Sequence, residues 1–404
     1  MKKVLLGLLL SLIMTPAWAA FFKPEFPRLG GTKIGSPQDY GVSSTQDQLA
    51  WLDYIVIDFF KNWGGGTSAQ QAALAGLKSR NPNLVIVDYH IVESIHNTLS
   101  GVQFARDKLD AQQWWLYSTG VNPPKIDGGD STSYTNLTNY VPLDASGFRW
   151  NTWLANEVFN DMWSQLPQLD GVFTDNTFWA PRVNGDWDRN GTSDSKDSPA
   201  VQTDYRQGYV AHYNKVRALL GTMSPPATGS RIVVGNIGDW GRANATTPEY
   251  VGMADGGLLE RFIGESWSNE GQDMNGALNG WGSWTLMMDA YRKVMSQITA
   301  PQKFVLFGMK GLPTDYRAFR YGFGSALLDD AYFDFADGTG SSVYTPRVVW
   351  FDEYDLAGTA TTSWLGSAID APPTVAWQTG VYRRRFQNGM VLVPTREWQP
   401  HRDR

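Results

Sequence analysis

The chain has 404 residues, 42% hydrophobic and 13% aromatic, with 34 basic and 40 acidic residues and no cysteine. Such a stock of apolar side chains supports a large core, so disorder is excluded for most of the length, and disulfides, thiol nucleophiles and thiolate-bound metals are excluded outright. A net charge of −6 argues against nucleic acid as a partner, because a phosphate backbone is gripped by a positive surface.

The first predicted element is a leader. Lys2 and Lys3 give a short basic region, Val4 to Ile13 an apolar run, and Ala17-Trp18-Ala19 a small-x-small cleavage site, which together read as a secretory signal peptide over 1–19. The apolar run is about half the length a membrane-spanning helix needs, and no later stretch approaches eighteen consecutive apolar residues. The expectation is a secreted or periplasmic protein with no membrane anchor. Loss of Lys2 and Lys3 with the leader leaves the mature chain at net −8.

Eight short runs rich in β-branched or aromatic residues follow, each bounded by turn residues: Arg28 to Ile34, Leu52 to Asp58, Leu84 to His90, Asp170 to Asn176, Arg231 to Ile237, Gly256 to Phe262, Lys303 to Met309 and Ala331 to Ala336. Helical spacing is read over Ser68 to Ser79, Val102 to Leu116, Trp150 to Leu166, Val201 to Leu220, Pro248 to Ala254, Ser283 to Ile298 and Tyr316 to Leu328. Strand followed by helix about eight times predicts an α/β fold, a (β/α)8 TIM barrel over 20–345. An open doubly wound sheet shows the same alternation, but neither G-x-G-x-x-G nor G-x-x-x-x-G-K occurs after a strand. Long connections follow the third run and, at 177–200, the fourth. Both leave a strand's C-terminal end, the face on which barrels build their sites. Beyond the barrel, Gly380 to Phe386 and Met390 to Pro394 flank Asn388-Gly389, a hairpin signal, which predicts a small C-terminal β appendage over 346–404 ending in a polar tail.

Acidic residues stand at or near the ends of the strand runs: Asp58, Asp88, Asp175 and Glu260, with Glu353 some way beyond the eighth. Two carboxyl groups facing each other across a pocket are what glycoside hydrolysis requires; the competing use of an acid at a strand end is to cap the next helix. Asp175 closes the run from Leu169 and sits beside Asn176 and Trp179, so it is the leading candidate for nucleophile or base. Glu260 is its expected acid partner, with Glu265 and Glu353 as rivals. Asp58, Asp88, Asn176 and Glu353 are expected to contact substrate along with Trp63, Trp179, Trp240 and Trp267, which each fall a few residues past a strand end. Flat indole faces suit the apolar side of a sugar ring, and they serve equally as core filler.

The segment from Asp186 to Asp197 puts oxygen ligands at loop positions 1, 3, 5, 9 and 12 (Asp186, Asp188, Asn190, Asp194, Asp197), with glycine at 6 and the Thr192 carbonyl available at 7. This predicts a structural Ca2+ loop beside Asp175, against the alternative of a solvated acidic turn. No organic cofactor is expected. The four histidines form no zinc-helix pattern, and no G-x-S-x-G elbow occurs.

Pro27-Arg28-Leu29-Gly30, the run from Leu169 to Asn176, the aspartate-rich loop at Asp186, Trp350-Phe351-Asp352-Glu353-Tyr354-Asp355 and Tyr382-Arg383-Arg384-Arg385-Phe386-Gln387-Asn388-Gly389 resemble the hypothetical glycosyl hydrolase family 15-like proteins. The resemblance covers most of the mature chain and implies a TIM barrel and a polysaccharide substrate. By wider analogy, α-galactosidase-like barrels carry a nucleophile after strand four and an acid after strand six, in agreement with Asp175 and Glu260. The ending departs from the family's: Val391-Leu392-Val393 runs into Pro394 instead of Asn-Pro. The resulting expectation is an exported, monomeric glycoside hydrolase acting on a poly- or oligosaccharide through two carboxylates. The alternative is a barrel that binds glycans without cleaving them.

Overall fold

The computed structural model describes residues 21–35, 37–60, 65–226, 229–264, 284–339, 345–356 and 362–395. The predicted leader therefore lies outside the described residues, as do Trp63, Glu265 and Trp267. Eight parallel strands pair in chain order: β1 (Gly30–Thr32), β2 (Tyr54–Ile57), β3 (Val85–Ile91), β4 (Gly171–Asp175), β5 (Ile232–Asn236), β6 (Gly256–Ile263), β7 (Phe304–Gly311) and β8 (Tyr332–Asp337). A parallel bridge between Leu29 and Phe333 joins the last strand to the first, with the Phe333 N–H donating to the Arg28 carbonyl at 2.9 Å. The sheet is thereby a (β/α)8 barrel, as the alternation predicts, and each of the eight predicted runs supplies one strand.

The barrel interior is filled by side chains of one parity. Tyr54, Val56, Val85, Val87, Phe173, Ile232, Val234, Leu258, Phe304, Leu306 and Tyr332 form one buried cluster, while the alternate residues (Ile55, Ile86, Val172, Val233, Leu259, Val305, Phe333) belong to a second, outer cluster beneath the helices. This is the two-residue period of a strand with both faces covered. Each apolar side chain so buried stabilises the fold by roughly 1.5–3 kcal/mol before chain entropy is counted.

Among the described residues, seven α-helices surround the strands: α1 (Ser43–Leu49), α2 (Gly66–Arg80), α3 (Gln103–Gln112), α4 (Trp150–Asp161), α5 (Pro199–Leu220), α6 (Trp284–Gln297) and α7 (Tyr316–Leu327). Pro199 opens α5, where a missing N–H costs nothing, and Asp315 caps α7 by accepting from the Ala318 N–H at 2.9 Å. Pro248 to Ala254 forms only a 3-10 turn, Pro248–Tyr250. The long connection after β3 carries a small antiparallel sheet of Ser94–His96, Asp127–Gly129 and Thr132–Tyr134. Short polar strands of this kind have no periodic apolar signal to announce them. The C-terminal hairpin pairs Val381–Phe386 with Gly389–Pro394, and Gly389 already faces Phe386, so Gln387 and Asn388 make the turn. Arg384 of the hairpin donates to Asp330 at 2.7 Å and to the Leu327 carbonyl at 3.2 Å, which docks the appendage on α7 and the start of β8. Among the described residues, no helix is long and apolar enough to cross a membrane.

Candidate active site

One step beyond the last inward apolar residue, the barrel changes chemistry. Val56, Val87, Phe173, Val234 and Leu258 line the interior, and two residues further along the same strands stand Asp58, Tyr89, Asp175, Asn236 and Glu260. Strand parity thus aims five polar groups into one layer above the apolar plug, at the C-terminal mouth.

Four of them are directly tied together. The Tyr89 hydroxyl donates to Asp175 Oδ2 at 2.8 Å. The Asn236 amide donates to Asp175 Oδ1 at 3.1 Å and, from the same nitrogen, to Glu260 Oε2 at 2.8 Å. The other oxygen of Glu260 accepts from Arg261 at 2.9 Å. Burial raises the Asp175 carboxyl above its ordinary range and the nearby Glu260 charge raises it further, while Tyr89, Asn236 and the Asn176 backbone N–H pull the other way by stabilising the carboxylate.

The backbone is bent to make this arrangement. Asn176, directly after Asp175, has φ +52°, and Arg261, directly after Glu260, has φ +42°. Asparagine tolerates the left-handed region better than most residues; arginine does not, and a conformation of that kind persists only where the surrounding structure holds it. The β6–β7 register shows how Arg261 is accommodated: Leu259 pairs with Phe307 and Ile263 with Met309, so three residues of β6 face Gly308 alone. A β-bulge of this kind re-aims side chains beside a site. Gly308 permits it, because a Cβ there would lie 2.7 Å from the Leu259 carbonyl and 2.8 Å from the Arg261 nitrogen.

Asp58 shares the layer, and burial pushes its carboxyl up to about 7. With Tyr89 it borders a cavity of about 220 Å³ whose other walls are largely apolar, among them Phe60, Ile91, Leu154 and Met162. Trp179 is half-buried on the loop after β4. Two acids outside the predicted set lie nearby, buried Glu93 after β3 and half-buried Asp239 after β5, each raised to about 7 by the loss of solvent around its carboxyl group. Glu93 accepts from Arg182 at 3.1 Å and Tyr205 at 3.0 Å.

Three predicted substrate contacts do not reach the mouth. Asp88 has the outward parity of β3, and its carboxylate is fully buried, accepting from the Phe59 N–H at 2.8 Å and the Trp163 indole at 2.7 Å. It is a structural acid that ties β2 and β3 to the segment after α4. Trp240 is likewise fully buried: its indole donates to the Thr177 carbonyl at 2.6 Å and its ring packs 4.7 Å from Tyr250. Glu353 belongs to the outer layer, where Arg320 of α7 donates to it and its neighbours Phe351 and Tyr354 pack on Phe319. His90, near the end of barrel strand β3, also points outward, with its Nε2 2.7 Å from Nε2 of buried His212. Trp114, Trp115 and Trp163 are fully buried, and Trp153 packs half-buried beside Trp114 and Trp150.

In the loop after β4, Asp186, Asp188 and Asp194 each bring a carboxylate oxygen within 4.8 Å of the others. The Gly191 N–H donates to Asp186 at 3.1 Å, and Asp194 accepts from the N–H groups of Trp187 at 2.9 Å and Asp188 at 3.2 Å. Asp186 Oδ1 is buried and unpartnered, which suits a cation. Asn190 turns its carbonyl oxygen to the Thr192 N–H at 2.8 Å. Asp197 stands outside the cluster, exposed and paired with Lys196 at 2.9 Å. On α5, burial and the charges of Asp188 and Asp194 push the Asp204 carboxyl up.

Sequence reasoning missed Tyr89 and Asn236 because it looked for acids at strand ends. The same two-residue period that names the interior (Val85, Val87, then Tyr89; Ile232, Val234, then Asn236) would have found both, and would have set Asp88 aside.

The profile of the family described as hypothetical glycosyl hydrolase family 15 matches residues 78–390. No curated protein sequence matches the chain. Solved structures of similar fold include the α-amylase of Geobacillus thermoleovorans complexed with acarbose, 9% identical, with TM-score 0.44 over 80% of this chain and 74% of that one. An Anoxybacillus α-amylase is also 9% identical, with TM-score 0.41 over the same shares. The catalytic subunit of ER glucosidase II is 8% identical, with TM-score 0.44, and 80% of this chain spans 34% of that one.

Proposed function

The chain belongs to hypothetical glycosyl hydrolase family 15, and from that premise we propose that this glycoside hydrolase cleaves O-glycosidic bonds of a poly- or oligosaccharide with Asp175 and Glu260 as its two working carboxyl groups. The observation that carries the reading is the single Asn236 amide nitrogen bonded to both acids at the barrel mouth. Hydrolysis of a glycoside needs one group to protonate the departing oxygen and a second to meet the charge that develops at the anomeric carbon. Asp175 fits the second role: it is held on both oxygens by Tyr89 and Asn236, so its position is fixed before substrate arrives. Glu260 fits the first. Its side chain is longer and 28% exposed, and as acid it would carry a proton to the site and give it to the departing oxygen, which leaves a carboxylate for Arg261 to pair with. Asp58, Asn176 and Trp179 are proposed to contact the sugar around this pair, together with Trp63 and Trp267.

Calcium is proposed as a structural ion in the loop after β4, held by Asp186, Asp188 and Asp194 with Asn190 and the Thr192 carbonyl; Asp197 would join only by leaving Lys196. The buried, unpartnered Asp186 oxygen supports this. When bound, the ion supplies charge neutralisation that orders the loop, and no chemical step passes through it. The leader over 1–19 supports export to periplasm or medium, and a polymer too large to enter the cell agrees with that address.

The test is incubation of the protein with a panel of bacterial and plant polysaccharides, reading both reducing ends released and binding. Cleavage that disappears in Asp175→Asn and Glu260→Gln is the expected result. Binding without cleavage by the parent would favour the glycan-binding alternative and overturn this one.

A further inference from the structure

The bond from Asn236 to both acids carries stereochemical information. Its two hydrogen bonds, 3.1 and 2.8 Å long, share one nitrogen, so the oxygens of Asp175 and Glu260 on which they end lie no more than about 6 Å apart. The two N–H directions of a planar amide diverge by about 120°, which brings those oxygens to about 5 Å. Inverting glycosidases separate their carboxyl groups by about 6.5–9.5 Å to leave room for a water, whereas retaining enzymes hold theirs about 5–5.5 Å apart so that one attacks the sugar itself.

Resting on the reading of Asp175 and Glu260 as the working pair, we infer that the reaction is a double displacement with net retention of anomeric configuration, and that Asn236 is the positioning residue that sets the spacing. In the first step an Asp175 oxygen bonds to the anomeric carbon as the bond to the leaving oxygen breaks, and the Glu260 proton passes to that oxygen. In the second, water attacks the same carbon and gives a proton to Glu260. The ester bond to Asp175 breaks, which returns Asp175 as a carboxylate, and the new hydroxyl lies on the face the leaving group occupied. Water is the only co-reactant.

Asn236 is nearly buried, at 6% exposure, and ends β5 at an inward position, so its amide has little freedom to reorient. Among the described residues, the charged or titratable groups that act on the pair include Tyr89 from β3, Tyr213 from α5, Arg261 from β6 and, further off, Asp58 and Glu93. Asn236 is the residue whose hydrogen bonds reach both acids.

The experiment uses the cleaved glycan found in the panel, or its aryl glycoside, and follows the first-formed product by proton NMR before mutarotation. The expected product has the anomeric configuration of the substrate. A 2-deoxy-2-fluoro analogue of the same sugar should leave one sugar mass on the peptide that contains Asp175. Asn236→Ala should lower kcat about 10- to 100-fold with KM little changed, and should move the acidic limb of the pH–rate profile upward because Asp175 loses a donor. Asn236→Gln, which keeps an amide at a different reach, should not restore the rate. An inverted product overturns the inference and leaves the hydrolase reading standing. An unchanged kcat and acidic limb in a folded Asn236→Ala overturns the positioning role. If no glycoside is cleaved at all, the function itself falls and the inference falls with it.

Discussion

Tyr89→Phe isolates one hydrogen bond in the proposed mechanism. The ring, stacked on Phe173 at 5.9 Å, is retained; only the hydroxyl that donates to Asp175 at 2.8 Å is lost. A hydrogen bond to a charged acceptor contributes about 1.5–3 kcal/mol, and one pKa unit corresponds to about 1.4 kcal/mol, so the carboxylate of Asp175 should become harder to form by about one to two pH units. The sign follows from its role. Tyr89 favours the charged form of Asp175, the attacking group must be charged, and removal of the donor therefore moves the acidic limb of kcat/KM toward higher pH. At a pH below both limbs, activity should fall about 10- to 100-fold relative to the parent, and the gap should narrow as the pH is raised. The assay is a pH–rate profile of parent and variant on one glycoside, with circular dichroism as the check on folding. A folded variant whose acidic limb has not moved, or has moved down, would refute the assignment of Asp175 as the group that works deprotonated.

Other consequences are independent of that one. If the loop after β4 holds Ca2+, a chelator should lower Tm, and Asp194→Ala should remove that response; an unchanged melting curve in the parent contradicts the ion. Asp53 lies under the barrel with its carboxyl raised to about 7 by burial; its stabilising contribution is complete below its ordinary range and is lost as pH rises through 7. Asp53→Asn should therefore gain stability relative to the parent between pH 5 and pH 8, and a constant difference would rule out this titration. Asp170, fully buried at the entry to β4, accepts from Lys78 at 2.6 Å and the Ile86 N–H at 2.7 Å. Asp170→Ala should cost about 3–5 kcal/mol in denaturant unfolding, because it leaves a nearly buried ammonium without its counter-charge, and a loss under about 1 kcal/mol would contradict that.

The barrel was legible because each strand is a continuous β-branched or aromatic run and each is followed by a connection long enough for a helix. The position of Asp175 and Glu260 at the mouth was legible for the same reason, as acids at or near the ends of such runs. What failed was parity. Asp88 and Tyr89 are adjacent in β3, and a rule that asks only for an acid near a strand end chooses the wrong one, since the inward set is Val85, Val87, Tyr89. Trp240 failed differently: position on a loop does not say whether the loop folds back onto the core, and here a 3-10 turn, Gly238–Gly241, buries the indole against Tyr250. The β6 bulge could not be read either, because it depends on which residue of β7 lies opposite Glu260 and Arg261, and that residue, Gly308, is 48 positions away from Glu260 in the chain. The acidic loop was legible as far as its local geometry reaches: Asp186, Asp188 and Asp194 converge, while Asp197 lies within the turn that begins at Ser195 and pairs with its own neighbour, Lys196.

If one amide nitrogen holds two carboxyl groups that together break a glycosidic bond, the most direct test is kcat/KM for Asp175→Asn and Glu260→Gln, each folded, on the best glycan of the panel. Asp175→Asn should lose at least about 10³-fold on every substrate, and Glu260→Gln should show a loss that shrinks when the leaving group needs no proton. Parental rates in either variant on the natural glycan would contradict it.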